Sequence, residues 1–348
     1  TLLSWYDGER PRILAPADDE ALLPSVVAIL PDGTELIGEA AKALALQHPE
    51  RVIHSVKRLI GRSLTEIRVE AERLPYQVVE GSEGQVRIRI VLDGKDGRPA
   101  FKDYSPEEIS AKVIGEAHRR AFDALEIPDT ERPKRIVLTV PAYFDDAQRQ
   151  ASKHAATIAG LEVLRLVNEP TAASLAYGLG ADKEGRILVY DLGGGTFDVS
   201  ILRVSDGIFR VLSTHGDTQL GGDDVDRILL EWMLEKIHDR TGAQLGGDAM
   251  VLSTLRRSAE GLKIRLSAME SAELLIDHGG DEELALHLTR AEFDELITPL
   301  IERTTRSVRS ALEDAELQPE QIDDVVIVGG STRIPLVRQQ LEQLFGRP

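Results

Sequence analysis

A run of glycines between two apolar strands is the feature of this sequence best suited to hold a phosphate. The run, residues 193–195, lies in DLGGGTFDVS. Glycine backbone turns tightly and can point successive N–H groups at an anion. Thr196 adds a hydroxyl, and Asp191 and Asp198 place a carboxylate on each side, which suits a hydrated cation. The segment predicts a phosphate site; a plain hairpin with two solvated aspartates is the alternative.

Two further glycine pairs follow strand-like segments. In VIVGGSTRIP, Gly329–Gly330 ends a buried-type strand, and Ser331 is predicted to cap a helix. Gly221–Gly222 precedes Asp223 and Asp224 at another helix start. Each pair alone is as well explained by structure as by function, but three such turns together predict a nucleotide site. The first turn joins two strands, so it is neither a Walker-A loop nor a dinucleotide fingerprint.

Composition narrows the classes of function. The length of 348 residues predicts two domains or lobes. The net charge of -18 disfavours nucleic acid and anionic membranes as partners, although backbone N–H groups could still hold a nucleotide. The sequence has no cysteine, and its eight histidines lack metal-ligand spacing. With no apolar run of membrane-spanning length, a cytoplasmic protein is predicted.

The elements that must position these turns fall into two similar runs. In the first, residues 135–180 alternate strand, helix, strand and helix, with Glu169 at the start of the second helix. The second begins at Arg186 with a strand, the glycine turn and two more strands, and it closes with a strand and a helix. In both halves of the chain a β-rich segment comes first and strand–helix alternation follows it. This pattern predicts a duplicated α/β fold with a boundary near residues 181–185.

Five motifs in matching order and spacing identify a family. VKRLIGRS, VPAYFDDAQRQASKHAATIAGLEVLRLVNEPTAASLAYGL, DLGGGTFDVS, GDTQLGGDDVD and VGGSTRIP closely resemble the DnaK-type chaperones, the heat-shock 70 family, over nearly the whole chain. The resemblance implies an actin-like ATPase fold, with two lobes that each have a ribonuclease-H-like core. Lobe I would be 1–182 with subdomain IB at about 30–104, and lobe II 183–348 with subdomain IIB at about 223–297.

The resemblance also implies roles for individual residues. Lys57 would reach the γ-phosphate and position the attacking water, Glu169 and Asp191 would organise water and cations, and Thr196 would contact the γ-phosphate. Asp191 and Asp198 are the implied ligands of the cations, Mg²⁺ and K⁺. The implied nucleotide-binding residues are Gly193, Gly194, Gly195, Gly222, Glu260, Lys263, Ser267, Gly330, Ser331 and Arg333.

The implied function is ATP hydrolysis that switches affinity for unfolded client peptides between the ATP and ADP states. Pro141 and Arg149 would couple the nucleotide to the peptide-binding domain, and Ile264 would pack against adenine. The implied partners are a J-domain co-chaperone, a nucleotide exchange factor and unfolded client peptides. Three alternatives stay open: an actin-fold sugar kinase, a filament-forming actin-like ATPase and, within the family, a specialist for iron–sulfur cluster assembly.

Two segments of the family pattern fall outside this sequence. A first phosphate loop of D-L-G-T-T type should precede Thr1, and the last ATPase segment, the linker and the peptide-binding domain should follow Pro348. The chain is therefore expected to be trimmed at both ends. With one of two phosphate turns missing, we expect it to bind ATP weakly and to hydrolyse ATP negligibly.

Overall fold

A computed structural model of the chain describes residues 1–14, 22–94, 98–176, 184–277 and 283–347. The chain divides into two compact units. One comprises Thr1–Val140 and Phe144–Leu166, and the other comprises Pro141–Tyr143 and Val167–Pro348. The lobe boundary expected between residues 182 and 183 falls in 177–183, outside the described residues. That boundary and the subdomains IB and IIB stay predictions.

The described part of the first unit consists of short sheets and four α-helices. Its strands form the sheets β1–β2, β4–β3–β5, β6–β7–β8 and β9–β10. The strands are β1 (Ser4–Tyr6), β2 (Pro11–Ile13), β3 (Val27–Ile29), β4 (Glu35–Ile37), β5 (Val52–Ile53), β6 (Gln77–Glu80), β7 (Val86–Asp93), β8 (Pro99–Tyr104), β9 (Arg135–Val140) and β10 (Glu162–Asn168), whose last residues belong to the second unit. The helices are α1 (Glu39–Leu44), α2 (Arg68–Ala71), α3 (Pro106–Asp123) and α4 (Asp146–Ile158).

Helix α3 illustrates how the local sequence builds this unit. A capping box begins the helix: the Glu108 N–H donates to Ser105 Oγ over 3.1 Å, and the Ser105 N–H donates to the Glu108 carboxylate over 2.7 Å. Ile109 and Val113 on the apolar face pack into the core with β3 and β7. Leu125 lies beyond the end of the helix and is exposed.

The second unit is built on one four-stranded sheet with helices around it. The sheet order is β13–β12–β11–β16, and β14 pairs with β15 separately. The strands are β11 (Gly185–Leu192), β12 (Phe197–Ser205), β13 (Ile208–Asp217), β14 (Ser271–Ile276), β15 (Leu284–Thr289) and β16 (Asp324–Val328). The helices are α5 (Glu169–Ala176), α6 (Gly222–Thr241), α7 (Ala249–Ala268), α8 (Arg290–Asp314) and α9 (Pro335–Phe345).

Both faces of this sheet are covered. Alternate residues of β11, including Leu188 and Tyr190, join the core formed with α6, α8 and α9. The intervening residues Ile187 and Val189 pack on the other face, against Ala173 of α5. Strands buried on both faces are held firmly in register. The ends of these strands are therefore rigid supports for the turns that follow them.

The expected mixed α/β class is confirmed by this arrangement of helices and several small sheets. Strands β11 and β16 run parallel as neighbours, with Asp191 beside Val328. Parallel strands end at the same edge of a sheet, so the glycine turns that follow β11 and β16 meet there. No helix within the described part of the chain is both long and apolar enough to span a membrane.

Candidate functional site

The turn at residues 193–196 is the loop of a β-hairpin, as the sequence predicts. Asp191 and Asp198 occupy paired positions on β11 and β12, and Leu192 pairs with Phe197 at the end of the ladder. The Gly193 N–H donates to the Thr196 carbonyl over 3.0 Å and closes the loop. Residues at directly paired positions project from the same face of a sheet. The two carboxylates therefore flank the loop on one side.

The start of α6 packs directly on this loop. The Gly222 N–H donates to the Gly193 carbonyl over 2.9 Å, and the Asp223 N–H donates to the Gly194 carbonyl over 2.8 Å. A Cβ at Gly221 would lie 2.6 Å from the carbonyl carbon of Gly194, closer than real side chains approach. Only glycine fits there, so the second glycine pair is needed for the backbones to meet. The loop also occupies two helix-terminal N–H groups that would otherwise be open to a phosphate.

The third glycine pair approaches the same loop from β16. Gly329 has a φ of +93°, and a Cβ there would lie 2.5 Å from the Leu192 carbonyl carbon and 2.8 Å from an Asp191 carboxylate oxygen. Both the left-handed backbone and the crowding require glycine. The three glycine turns of the sequence thus converge at one edge of the sheet in the second unit.

Ser331 does not cap a helix, and that prediction is wrong. It lies inside a 3₁₀ helix, Gly330–Arg333, and α9 begins only at Pro335. Proline disfavours helical backbone in the residue before it, and Ile334 is accordingly extended, so a helix cannot run on from Ser331. Instead Ser331 Oγ donates to the Gly193 carbonyl over 3.0 Å, which fastens the third turn to the first. Gly330 and Arg333 beside it are exposed.

Helix α7 adds a cation to this cluster of turns. Lys263 Nζ donates to the Gly222 carbonyl over 3.3 Å and to an Asp226 carboxylate oxygen over 2.9 Å. Glu260 lies one turn earlier on the same helix, and Ser267 Oγ donates to the Lys263 carbonyl over 2.9 Å. Lys263, Gly222 and Ser331, three of the predicted nucleotide-binding residues, are thereby brought together.

Asp226 is a part of this cluster that the sequence reasoning missed. It lies on α6 one turn after Gly222, and its side chain is 18% exposed. Burial raises the pKa of its carboxyl to about 6; Lys263 opposes that shift, whereas Asp223 and Glu260 add to it. Nothing in the local pattern distinguished Asp226 from the aspartates before it, because its partner is 37 residues away.

Asp198 has a backbone partner from a distant part of the chain. The Tyr143 N–H donates to Asp198 Oδ1 over 3.1 Å, and Asp198 itself is buried. Pro141, two residues before Tyr143, is buried in the same unit. Arg149 belongs to the first unit, where its Nε donates to the Phe144 carbonyl over 2.9 Å. The proposed coupling residues therefore lie in different units.

Lys57 and Glu169 also belong to different units. Lys57 is exposed on a 3₁₀ helix, Val56–Arg58, of the first unit. Its neighbour Arg58 is buried and forms an ion pair with Glu70 over 2.9 Å. Glu169 is the half-buried first residue of α5 in the second unit, where a carboxylate suits the helix N-terminus as predicted.

The paired aspartates have the chemistry of a shared cation site. Within the described ranges, no group of three or more His, Asp or Glu side chains could hold a metal alone. Mg²⁺ is commonly held by one or two carboxylates together with phosphate oxygens and water. Asp191 and Asp198 supply two carboxylates beside the loop. Their chemistry fits a cation that shares its remaining ligands with a bound phosphate.

Comparison with known proteins identifies the family. A sequence profile described as "Hsp70 protein" matches residues 1–348. The chain belongs to the Hsp70 family. A similar protein is "Chaperone protein dnaK" of Cyanidioschyzon merolae, 44% identical over 352 residues, an alignment that covers 100% of this chain and 56% of that relative. The chain therefore spans little more than half of this relative's length.

Membership of the Hsp70 family confirms the resemblance drawn from the five motifs. The mixed architecture of helices and several small sheets is consistent with the actin-like ATPase fold of that family. The same comparisons give no support to the sugar kinase, the actin-like filament or the iron–sulfur specialist. Roles for individual residues are not tested by them and stay predictions.

Proposed function

We propose that this chain binds ATP and ADP and forms the ATP-hydrolysing part of a DnaK-type chaperone. In that chaperone the nucleotide state would switch the affinity for unfolded client peptides. The observation that carries the proposal is the convergence of three glycine turns, Lys263 and Ser331 at one edge of a rigid sheet. Backbone crowding at Gly221 and Gly329 shows why this edge demands glycine. Membership of the Hsp70 family supports the same ligand.

In the proposed site, separate groups of residues contact the phosphates, contact the adenosine and assist hydrolysis. The loop at 193–196 faces the phosphates with backbone N–H groups and the Thr196 hydroxyl. Lys263, Glu260 and Ser267 hold the adenosine from α7, and Gly330, Ser331 and Arg333 hold it from the other side. Ile264, 61% exposed on α7, offers an apolar surface to the base. Hydrolysis requires positioning and charge neutralisation more than covalent help, and Lys57 and Glu169 would supply part of both.

Mg²⁺ and K⁺ are the proposed cations, held through Asp191 and Asp198. When bound there, a cation would supply neutralisation of phosphate charge. Asp198 also holds the Tyr143 N–H, two residues after Pro141. A change at the cation site can therefore reach the chain segment of Pro141, which supports the proposed coupling role of that segment.

The proposed partners follow from the family. They are a J-domain co-chaperone, a nucleotide exchange factor and unfolded client peptides. The net charge of -18 disfavours nucleic acid and anionic membranes as partners. A cytoplasmic location forms part of the proposal and rests on the resemblance to DnaK-type chaperones.

Nucleotide binding and turnover in three lysine variants test the proposal. ADP affinity is measured by calorimetry with Mg²⁺ and K⁺, and ATP cleavage is measured in single-turnover format, which detects slow hydrolysis. Lys263→Met should weaken ADP binding about tenfold or more because a buried charged contact is lost. Lys57→Met should leave ADP affinity within a few-fold, because the proposed role of Lys57 is at the γ-phosphate, which ADP lacks. Lys134→Met, at an exposed lysine, is the matched control.

Any one of three results would overturn the proposal. The first is the absence of saturable ADP or ATP binding to the folded chain at millimolar nucleotide. The second is ATP consumption that occurs only when a sugar acceptor is added, because that outcome identifies a kinase. ATP-dependent sedimentation into polymers would instead identify a filament-forming ATPase.

A further inference from the structure

The Asp226 carboxylate fixes the position of Lys263. Lys263 Nζ lies 2.8 Å from one Asp226 carboxylate oxygen and 2.9 Å from the other. The same ammonium group donates to the Gly222 carbonyl over 3.3 Å. Both acceptors are on α6, one turn apart, while the lysine is on α7. A flexible lysine side chain is thereby held at the second glycine turn, at a cost in rotamer freedom that the ion pair offsets.

The surroundings of this pair are acidic and poorly hydrated. The side chains of Lys263 and Asp226 are 14% and 18% exposed. Among the described residues, the ionisable groups that shift the pKa of Asp226 are Lys263, Asp223 on its own helix and Glu260 on α7. Burial, together with the two carboxylates, keeps the pKa of Asp226 near 6 despite the lysine. The charge of Asp226 therefore changes over a mildly acidic range.

We propose that Asp226 is a positioning residue that holds Lys263 ready for a nucleotide, so that nucleotide affinity falls as the solution becomes mildly acidic. The inference rests on the proposed function, since it concerns how the nucleotide site is kept in order. When Asp226 is ionised, Lys263 is held at the Gly222 carbonyl by charge and hydrogen bonds. When Asp226 is protonated, the attraction is lost and the lysine samples other rotamers, which lowers the affinity for the ligand it would contact.

The test compares wild type with Asp226→Asn across pH. ADP dissociation constants are measured by calorimetry from pH 5 to pH 8 with Mg²⁺. The ratio of the variant's constant to the wild-type constant cancels the ionisation of ADP itself. We expect a ratio of roughly ten at pH 7.5, which is the loss of one charge-assisted contact. The ratio should approach one at pH 5, where wild-type Asp226 is itself neutral. A ratio that stays constant across this range overturns the inference.

A matched control and a second ligand keep the test decisive. Asp294 is a carboxyl on α8 whose pKa is also raised by burial. For the control variant Asp294→Asn, the ratio of its ADP dissociation constant to the wild-type constant should stay near one at every pH. If Asp226→Asn does not fold, adenosine binding to wild type alone is measured, since adenosine carries no phosphate that titrates near neutral pH. Adenosine affinity should fall several-fold from pH 7.5 to pH 5; unchanged affinity overturns the inference. Failure of wild type to bind any nucleotide would instead overturn the proposed function.

Discussion

Asp191 and Asp198 stand at paired positions on adjacent antiparallel strands, one residue pair before the Leu192–Phe197 pair that closes the ladder at the glycine loop. Like charges at directly paired positions of a sheet repel and destabilise it. Asp198 offsets part of this cost by accepting the Tyr143 N–H over 3.1 Å. A cation shared by both carboxylates would lower this repulsion further. The pairing therefore supports the proposed cation site beside the loop.

We therefore expect Asp191→Asn and Asp198→Asn to reduce the dependence of nucleotide affinity on Mg²⁺. In wild type, Mg²⁺ should strengthen ADP binding. In each variant the factor by which Mg²⁺ strengthens ADP binding should be about tenfold smaller, because one anionic ligand is gone. The measurement is the ADP dissociation constant with Mg²⁺ and with EDTA. Asp239→Asn, at an exposed position of α6, is the control and should behave as wild type. An undiminished Mg²⁺ effect in both variants would argue against cation binding by this pair.

Gly329 and Gly330 are adjacent residues, but of the two only Gly329 has a positive φ and atoms close to the position of an added Cβ. Gly329→Ala should lower the free energy of unfolding by about 2 kcal/mol or more, because a Cβ meets the Leu192 carbonyl and the backbone is left-handed. At Gly330 no described atom lies within 4 Å of the Cβ position, so Gly330→Ala should change stability by less than about 1 kcal/mol. Urea unfolding without nucleotide measures both. Equal losses in the two variants would contradict the assigned crowding.

Local patterns in the sequence predicted the parts of the site that depend on neighbouring residues. The hairpin at 193–196 and the start of α6 at Gly222 followed from apolar runs broken by glycine and aspartate. Ser331 was assigned wrongly because Pro335, four residues on, delays the helix. The order of parallel neighbours in the sheet, β11 beside β16, could not be read from either segment alone.

Contacts between distant segments explain what the sequence could not show. Gly221 needs to be glycine because Gly194 lies against it, and Asp226 matters because Lys263 reaches it from another helix. Neither requirement can be recognised from the residues next to Gly221 or Asp226 in the sequence. Family resemblance named Lys263 and Gly222 through their motifs, but it did not name Asp226.

The buried ion pair beside Lys57 predicts a specific pattern of stability changes. Arg58 and Glu70 lie 2.9 Å apart with side chains 4% and 9% exposed. Arg58→Met or Glu70→Leu alone should cost about 3–5 kcal/mol, because each removes one side of a buried ion pair. The double variant should recover most of that loss. Chemical denaturation of the four proteins gives the coupling energy, and additive losses would show that the pair is not coupled.

Asp226 predicts how stability without nucleotide depends on pH. Its folded pKa of about 6 lies above the ordinary value of 3.8, so the folded protein binds the proton more tightly than the unfolded chain. The stability it contributes is therefore greatest below pH 4 and falls as pH rises towards 6. The unfolding free energy of wild type relative to Asp226→Asn should decline by at most about 3 kcal/mol between pH 4 and pH 7.

Comparison with the variant removes the contribution of the other carboxyl groups, which titrate in both proteins. Urea unfolding at half-unit steps of pH, without nucleotide, measures the difference. Asp294→Asn should show a change of the same sign, because burial also raises the pKa of Asp294. Asp7→Asn should show the opposite sign, since hydrogen bonds from the Arg10 and Glu9 backbone lower the pKa of the exposed Asp7. A difference between wild type and Asp226→Asn that rises with pH would mean that attraction to Lys263 outweighs the effect of burial.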